Sequence, residues 1–453
     1  MRGFHTITLG CKLNQFDSAA IEGELAHRGF DPVDDAAGAE IVVVNTCTVT
    51  GKADAEARKL IRGVRRTNPD CRLLVTGCYA QLDAAAIEAL DGVDRVFGNE
   101  DKSRFGEILD ELGIATGRAP RYPDRGCDAT LDLPRALHFG DRSRAFLKVQ
   151  EGCRLACSYC IIPTVRGPSR SVPPEQVERA ALALFERGYR EVVLTGVNVG
   201  DYGRDLEPRT DLAELLERLL GSCGPNRIRL NSLEPLTVTD RIVELMAMEP
   251  RLAPHLQIPL QSGSPALLRA MRRNYRQEQY LERLRALRAA VPHVGLGADV
   301  IVGFPGETEE LFRETCELIA GSPLSYLHVF AWSARPGTVA SELPGRVHGA
   351  EVRRRSAELR ALADRRSYEF RSRFLGQALD VVVLAPRGDG RLRALSGNFI
   401  EVALEAGTAR AGELLKARVE HVMPDETLAV VDGTPSWASD EATRSTSSVA
   451  WQR

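Results

Sequence analysis

The chain has 453 residues, 43% hydrophobic and 27% charged, with a formal net charge of -3, an ordinary soluble composition too long for one compact core. That charge excludes a uniformly basic nucleic-acid coat but leaves room for a local basic face. No apolar run is long enough to span a bilayer and the N-terminus MRGFHTITLG lacks a signal-peptide pattern, so no membrane partner and a cytoplasmic location are expected.

Up to about residue 115, short apolar runs alternate with helical periodicity. His5–Leu9, Ile41–Asn45, Arg72–Thr76 and Arg95–Phe97 read as strands, and Gln15–Ala26, Ala53–Arg65, Ala80–Leu90 and Lys102–Leu112 as helices. The alternation predicts an α/β domain with a doubly wound parallel sheet, whose ligands gather at the carboxyl ends of the strands. Residues 118–140, rich in Arg, Pro, Gly and Asp, read as a linker. A second block offers strands at Ala145–Gln150, Glu191–Thr195, Arg227–Asn231, His255–Leu260, Gly297–Ile301 and Leu327–Ala331. Helices such as Glu175–Arg187, Asp211–Leu220 and Glu309–Ile319 fall between them. Six β/α repeats predict an incomplete barrel with its site at the carboxyl ends of its strands. After a long helix at Glu351–Phe374 come Leu379–Leu384, Leu392–Leu395, Phe399–Leu404, Leu415–Val422 and Thr427–Val431, five strands that predict a small β-barrel. The polar segment from about Ser436 has the composition of a disordered tail. The expected divisions are therefore 1–117, 118–140, 141–374, 375–435 and 436–453.

In a reducing compartment the ten cysteines read as metal ligands, catalysts or core residues before disulfides. The run GCRLACSYCIIP places Cys153, Cys157 and Cys160 in a C-x3-C-x2-C loop directly after the first barrel strand. A structural zinc site is one reading, but it normally takes four protein ligands, and no histidine or fourth cysteine is near in sequence. Three thiolates on a 4Fe-4S cluster leave one iron open, whereas electron-transfer clusters take four. A second set follows strand ends: Cys11 in TLGCKLN, Cys47 in VVVNTCTVT and Cys78 in LLVTGCYA. Adjacent parallel strands lie ~4.8 Å apart, so these three would meet at one sheet edge as a second metal centre. The alternative is a coincidence of buried cysteines. Cys71, Cys127, Cys223 and Cys316 fall outside both sets and read as incidental. GFPGETEE lacks the Gly-Lys-Ser/Thr ending of a phosphate-binding loop and reads as a turn before a helix.

The first spacing, with Tyr159 before Cys160, is similar to the radical S-adenosylmethionine superfamily. TLGCKLN, NTCTVT, EGCRLACSYCIIPTVRGPSRS, LTGVNVGDYG, PHLQIPLQSGSPALLRAMRRNY, DVIVGFPGETEE and LHVFAWSARPGT resemble, in the same order and over nearly the whole chain, the methylthiotransferases of that superfamily. The resemblance implies two 4Fe-4S clusters, one on Cys153, Cys157 and Cys160 and an auxiliary one on Cys11, Cys47 and Cys78. It implies two S-adenosylmethionine molecules, one methylating sulfur at the auxiliary cluster and one cleaved to the 5'-deoxyadenosyl radical that activates a C–H bond. An electron donor protein and a TRAM-like RNA-binding β-domain are implied as well. Both clusters must approach one substrate, so the carboxyl edge of the first domain is expected to face the barrel mouth. Tyr159 is expected beside the cofactor adenine, and Gly196 where the backbone approaches its methionine part, with a simple strand-ending turn as the alternative. Ser232, Glu234 and Gln261 follow other barrel strands and are candidates for ribose or ammonium contacts, against solvated loops.

Lys12-Leu13-Asn14 stands where relatives acting on isopentenyl-adenosine show Gln-Met-Asn and those acting on a ribosomal-protein aspartate show Pro-Lys-Asn. This form, with Pro168-Ser169-Arg170-Ser171, resembles enzymes that act on threonylcarbamoyl-adenosine beside the anticodon of tRNA. Arg353, Arg354, Arg355, Arg360, Arg365, Arg366, Arg371 and Arg373 could meet phosphates, or could form a solvated helix face. Few aromatics besides Phe399 are visible in the β-domain, so limited base stacking is expected there. An iron-sulfur RNA-binding protein without catalysis is the reading from another class.

Overall fold

A computed structural model describes residues 2–114, 139, 142–386 and 390–433. The first block is a five-stranded parallel sheet of β1 (Gly3–Thr8), β2 (Asp31–Pro32), β3 (Ile41–Thr46), β4 (Arg72–Gly77) and β5 (Arg95–Val96), in the order β2-β1-β3-β4-β5. The all-buried run IVVVNT makes β3 the centre, as β-branched residues on a two-sided core should. The order reverses between β1 and β3, which opens a crevice at their carboxyl ends. Residues 80–90 form two short helices, Cys78–Leu82 and Ala84–Glu88, where one was expected, because the Asp83 carboxylate accepts from the Ala86 amide and caps the second. The two-residue β2 is too short to show a period, and the sequence reading missed it.

Next come β6 (Ala145–Lys148), the small antiparallel ribbon of β7 (Gln150–Glu151) and β8 (Arg170–Ser171), then β9 (Glu191–Thr195), β10 (Arg227–Leu230), β11 (His255–Gln257), β12 (Gly295–Val302) and β13 (Tyr326–Ala331). Parallel pairing runs β6-β9-β10 and β11-β12-β13. Parallel bridges Ile228↔Leu252 and Ser232↔Gln257 join the two sets. Among the described residues no pairing returns from β13 to β6, so the six strands make an open barrel. Helices Pro174–Glu186, Leu212–Ser222, Asp240–Met248, Gln277–Ala290 and Glu309–Ala320 cover its outside. The expected linker, apart from Phe139, and with it Cys127, lies outside the described residues, as does the expected tail.

Helix Gly349–Ser372 leads into a closed barrel of β14 (Ala378–Pro386), β15 (Leu392–Ser396), β16 (Glu401–Leu404), β17 (Leu414–Val422) and β18 (Thr427–Gly433), in the order β14-β15-β16-β18-β17. This small barrel docks on the amino-terminal ends of the large barrel's strands. Arg227 donates to the Asp380 carbonyl at 2.8 Å and Arg229 to the Gly397 and Ser396 carbonyls, both at 2.8 Å. Glu191, fully buried, anchors both guanidinium groups. The strand expected from Phe399 starts at Glu401, because Phe399 sits in a left-handed turn at φ 71. Its ring stacks on His255 at 4.2 Å and on Tyr326 at 5.4 Å, so it is engaged within the protein. Five of the eight helix arginines are also engaged within the protein. Arg354 meets Glu309, Glu351 and Glu358, Arg355 meets Glu307, and Arg366, Arg371 and Arg373 donate to the Ser322, Pro424 and Pro292 carbonyls. Arg353, Arg360 and Arg365 are exposed, with no ion pair among the described residues.

Candidate active site at the domain junction

Cys11 is the N-cap of helix Lys12–His27, Cys47 follows β3, and Cys78 opens the short helix after β4. Two glycines let these strand ends close up. A Cβ on Gly10 (φ 96) would lie 2.9 Å from Cys47 Sγ, and one on Gly77 (φ 102) would lie 2.3 Å from the Thr46 carbonyl oxygen. Asn14 Nδ2 donates to the Leu9 and Thr46 carbonyls, and Thr46 Oγ1 donates to the Thr76 carbonyl, tying the three ends together. Cys11 is exposed, whereas Cys47 and Cys78 are buried. Burial, then the neighbouring Cys78 and Cys11, push the Cys47 thiol up to about 11.

Cys153, Cys157 and Cys160 lie half-buried in the loop between β7 and helix Ile162–Arg166. The loop is held by backbone bonds from Cys153 to Gly167 (3.1 Å), from Ser158 to Met271 (3.0 Å) and from Ala340 to Ser158 (2.7 Å). Arg273 donates to Cys157 Sγ at 3.1 Å and pairs with Glu234. Burial, then Cys157 and Cys153, push the Cys160 thiol up to about 12. Burial also holds Glu234 above the ordinary carboxylate range, against Arg273.

Among the other expected site residues, Tyr159 packs with Leu267, Met271, Phe304 and Ala340 beside the loop. Gly196 is crowded by Gln150: a Cβ there would meet Gln150 Oε1 at 2.8 Å, and that oxygen accepts from the Asn198 amide at 2.9 Å. Ser232 bridges to Gln257 through its backbone. Gln261, at φ 63, pairs through its backbone with Asp299 and Ile301. Glu234 is thus joined to the barrel cysteine loop through Arg273, while Ser232 and Gln261 act through backbone at strand ends. Cys71 and Cys223 are buried and Cys316 half-buried, apart from both sets.

The two cysteine sets are brought together by a buried charge network that spacing did not reveal. Arg166 donates to Glu151 at 2.7 Å, to Asn14 Oδ1 at 2.6 Å and to Asp17 at 3.2 Å. Lys102 and Lys148 also pair with Asp17, at 2.8 and 3.3 Å. Burial works against the Arg166 charge, but Cys78, Asp17, Glu151 and Cys11 outweigh it and hold the guanidinium more firmly protonated. Burial likewise opposes the Asp17 charge, and Lys102, Lys148 and Arg166 overcome it. Cys78 packs against Ile161 and Val165 of the barrel loop, and Asn99 Nδ2 donates to the Val165 carbonyl at 2.7 Å. Arg335, after β13, pairs with Asp54 at 2.7 Å. The carboxyl edge of the sheet therefore faces the carboxyl ends of the barrel strands, as expected. The signal for this network was present in Arg166 of TVRGPSR and Asn14 of CKLN, but neither has a period or spacing that announces a partner.

Three thiols without histidine or carboxylate suit iron and sulfide as soft ligands, and buried Arg166 and Arg273 supply positive charge beside them. Among the described residues no group of three or more His, Cys, Asp or Glu is placed to hold a single metal ion.

Residues 147–319 match the Radical SAM superfamily, and residues 3–98 match the uncharacterized protein family UPF0004. The chain is 37% identical over 429 residues, 92% of its length and 93% of the relative's, to the threonylcarbamoyladenosine tRNA methylthiotransferase MtaB of Bacillus subtilis. The chain belongs to the radical S-adenosylmethionine tRNA methylthiotransferases. This methylthiotransferase is also 34% identical over 434 residues, 93% of its length and 86% of the relative's, to the tRNA-2-methylthio-N(6)-dimethylallyladenosine synthase of Acidothermus cellulolyticus. Its fold is like that of the radical S-adenosylmethionine methyltransferase TsrM of Kitasatospora setae, with a TM-score of 0.53 and 16% identity over 75% of each chain. As a member of its family it is an enzyme that methylthiolates tRNA with S-adenosylmethionine and 4Fe-4S clusters, and the non-catalytic reading falls. Among the described residues no helix is long and apolar enough to cross a membrane.

Proposed function

We propose that this methylthiotransferase acts at C2 of the N6-threonylcarbamoyladenosine beside the anticodon of tRNA, in the cytoplasm, with electrons from a separate donor protein. The observation that carries the substrate is Lys12-Leu13-Asn14 after Cys11, the form similar to enzymes of that specificity. Likeness to the Bacillus subtilis enzyme over nearly the whole of both chains supports it.

In this reading residues 1–117 carry one cluster on Cys11, Cys47 and Cys78, and residues 141–374 carry the other on Cys153, Cys157 and Cys160. Residues 375–435 serve as the RNA-binding module. When bound, the clusters and S-adenosylmethionine supply a carbon radical and a methylthio sulfur. Arg273 fixes Cys157 and orients Glu234 toward the cofactor ammonium, and the Tyr159 ring walls the adenine side. Gly196 and Gln150 shape the strand end against which the methionine part lies. Exposed Arg353, Arg360 and Arg365 meet RNA phosphates.

The test is mass spectrometry of tRNA nucleosides from a strain lacking this gene. Loss of 2-methylthio-N6-threonylcarbamoyladenosine, with the dimethylallyl counterpart retained, is expected. Loss of the dimethylallyl counterpart alone would overturn the substrate.

A further inference from the structure

We propose that the Lys12 ammonium receives the carboxylate of the substrate's N6 substituent, and so distinguishes an acid-bearing adenosine from a hydrocarbon-bearing one. The inference deepens the proposed function and rests on its substrate.

Lys12 is half-buried and directly follows Cys11, yet its side chain leaves its own domain. Nζ donates to Asn231 Oδ1 at 2.7 Å, just past the end of β10. Asn231 is itself held by a bond to Thr195 Oγ1, 3.2 Å away at the end of β9. The ammonium therefore stands where barrel enzymes place their sites, at the carboxyl ends of the strands, one residue from the sheet-edge cysteines.

Among the described residues no carboxylate lies within ion-pair distance of Lys12, although Glu191 and Asp299 act on it from farther away. Lys102, Lys148, Arg166, Arg273 and Arg335 around the junction each pair with a carboxylate. Lys12 forms no ion pair among the described residues and uses one of its three donors, on a neutral amide. A cation withdrawn from water without a counter-charge is unfavourable, and an arriving carboxylate would satisfy it with charge-assisted bonds. The two kinds of relative differ in this respect by name. A threonylcarbamoyl group carries a carboxylate and a hydroxyl, and a dimethylallyl group carries neither. Only N1 separates C2 from C6 in the adenine ring, so an N6 chain held at Lys12 keeps C2 close to the sheet-edge cysteines.

The test compares anticodon stem-loops bearing threonylcarbamoyladenosine as the free acid and as its methyl ester, on the reconstituted full-length enzyme. Equilibrium binding by fluorescence anisotropy and kcat/KM are both read. The wild-type protein should favour the acid at least tenfold in both. Lys12→Gln should bring the acid-to-ester ratio near one, mainly through affinity and KM, and Lys12→Arg should restore most of the preference. Iron and sulfide contents of each variant separate an effect on RNA from a damaged cluster. Equal binding of acid and ester by the wild-type protein overturns the proposal without any variant. An unchanged ratio in Lys12→Gln overturns the role of Lys12 alone. Turnover of a dimethylallyladenosine stem-loop with none of the threonylcarbamoyl one overturns the substrate reading, and this inference with it.

Discussion

Cys153, Cys157 and Cys160 leave a single loop pinned by its own backbone, whereas Cys11, Cys47 and Cys78 come from three strand ends that meet only because β1, β3 and β4 are parallel neighbours. The loop set depends on local chain geometry. The sheet-edge set depends on the whole first domain, on two glycines at positive φ and on the Asn14 and Thr46 side chains. On the proposed assignment, a local set that cleaves the cofactor and a distributed set that handles sulfur can be disabled separately.

That separation is the first thing to test, and it carries the largest effects. Cys157→Ala should reduce both 5'-deoxyadenosine formation and methylthiolation below detection. Cys47→Ala should retain 5'-deoxyadenosine formation and lose methylthiolation. Methylthiolation persisting in Cys47→Ala would sink the division of labour. Next in size, Arg166→Leu removes the side chain that bridges both regions and leaves Glu151 and Asp17 short of a partner. The expected cost is about 3 kcal/mol. It should appear as lost hydrogen-exchange protection in both Lys12–His27 and Ile162–Arg166, and a loss confined to one side would show that the two regions are not coupled through it. The smallest effect lies outside both sets. Arg360→Ala should weaken tRNA binding a few-fold and lower the salt slope by about 0.7–0.9, and an unchanged slope would mean that this helix face is only solvated.

Much of this architecture was legible in the sequence because it has a period. Glu191–Thr195 was read with the boundaries it has, and the five strands of the small barrel were each found to within a few residues. The loop of Cys153, Cys157 and Cys160 was legible as a cluster of thiols because its residues are local. What escaped was decided by tertiary contact. Phe399 reads as a strand residue until β11 and β13 are placed beside it, and the helix arginines read as phosphate contacts or a solvated face with pairs such as Glu351–Arg355 until their partners on other elements arrive. Lys12, Arg166 and Arg273 are isolated basic residues in a chain holding 59 of them. Gly10 and Gly77 each precede a cysteine and were the available clue that Cys47 lies between them.

The docking of the small barrel also covers one end of the large one. With Phe399 stacked on His255 and Tyr326, and the Asn398 carbonyl pressed against Gly295, the large barrel is stoppered at the amino-terminal ends of its strands among the described residues. What remains among the described residues is the opposite, carboxyl-terminal end, beside the sheet-edge cysteines, and the gap between β6 and β13 that no strand pairing closes.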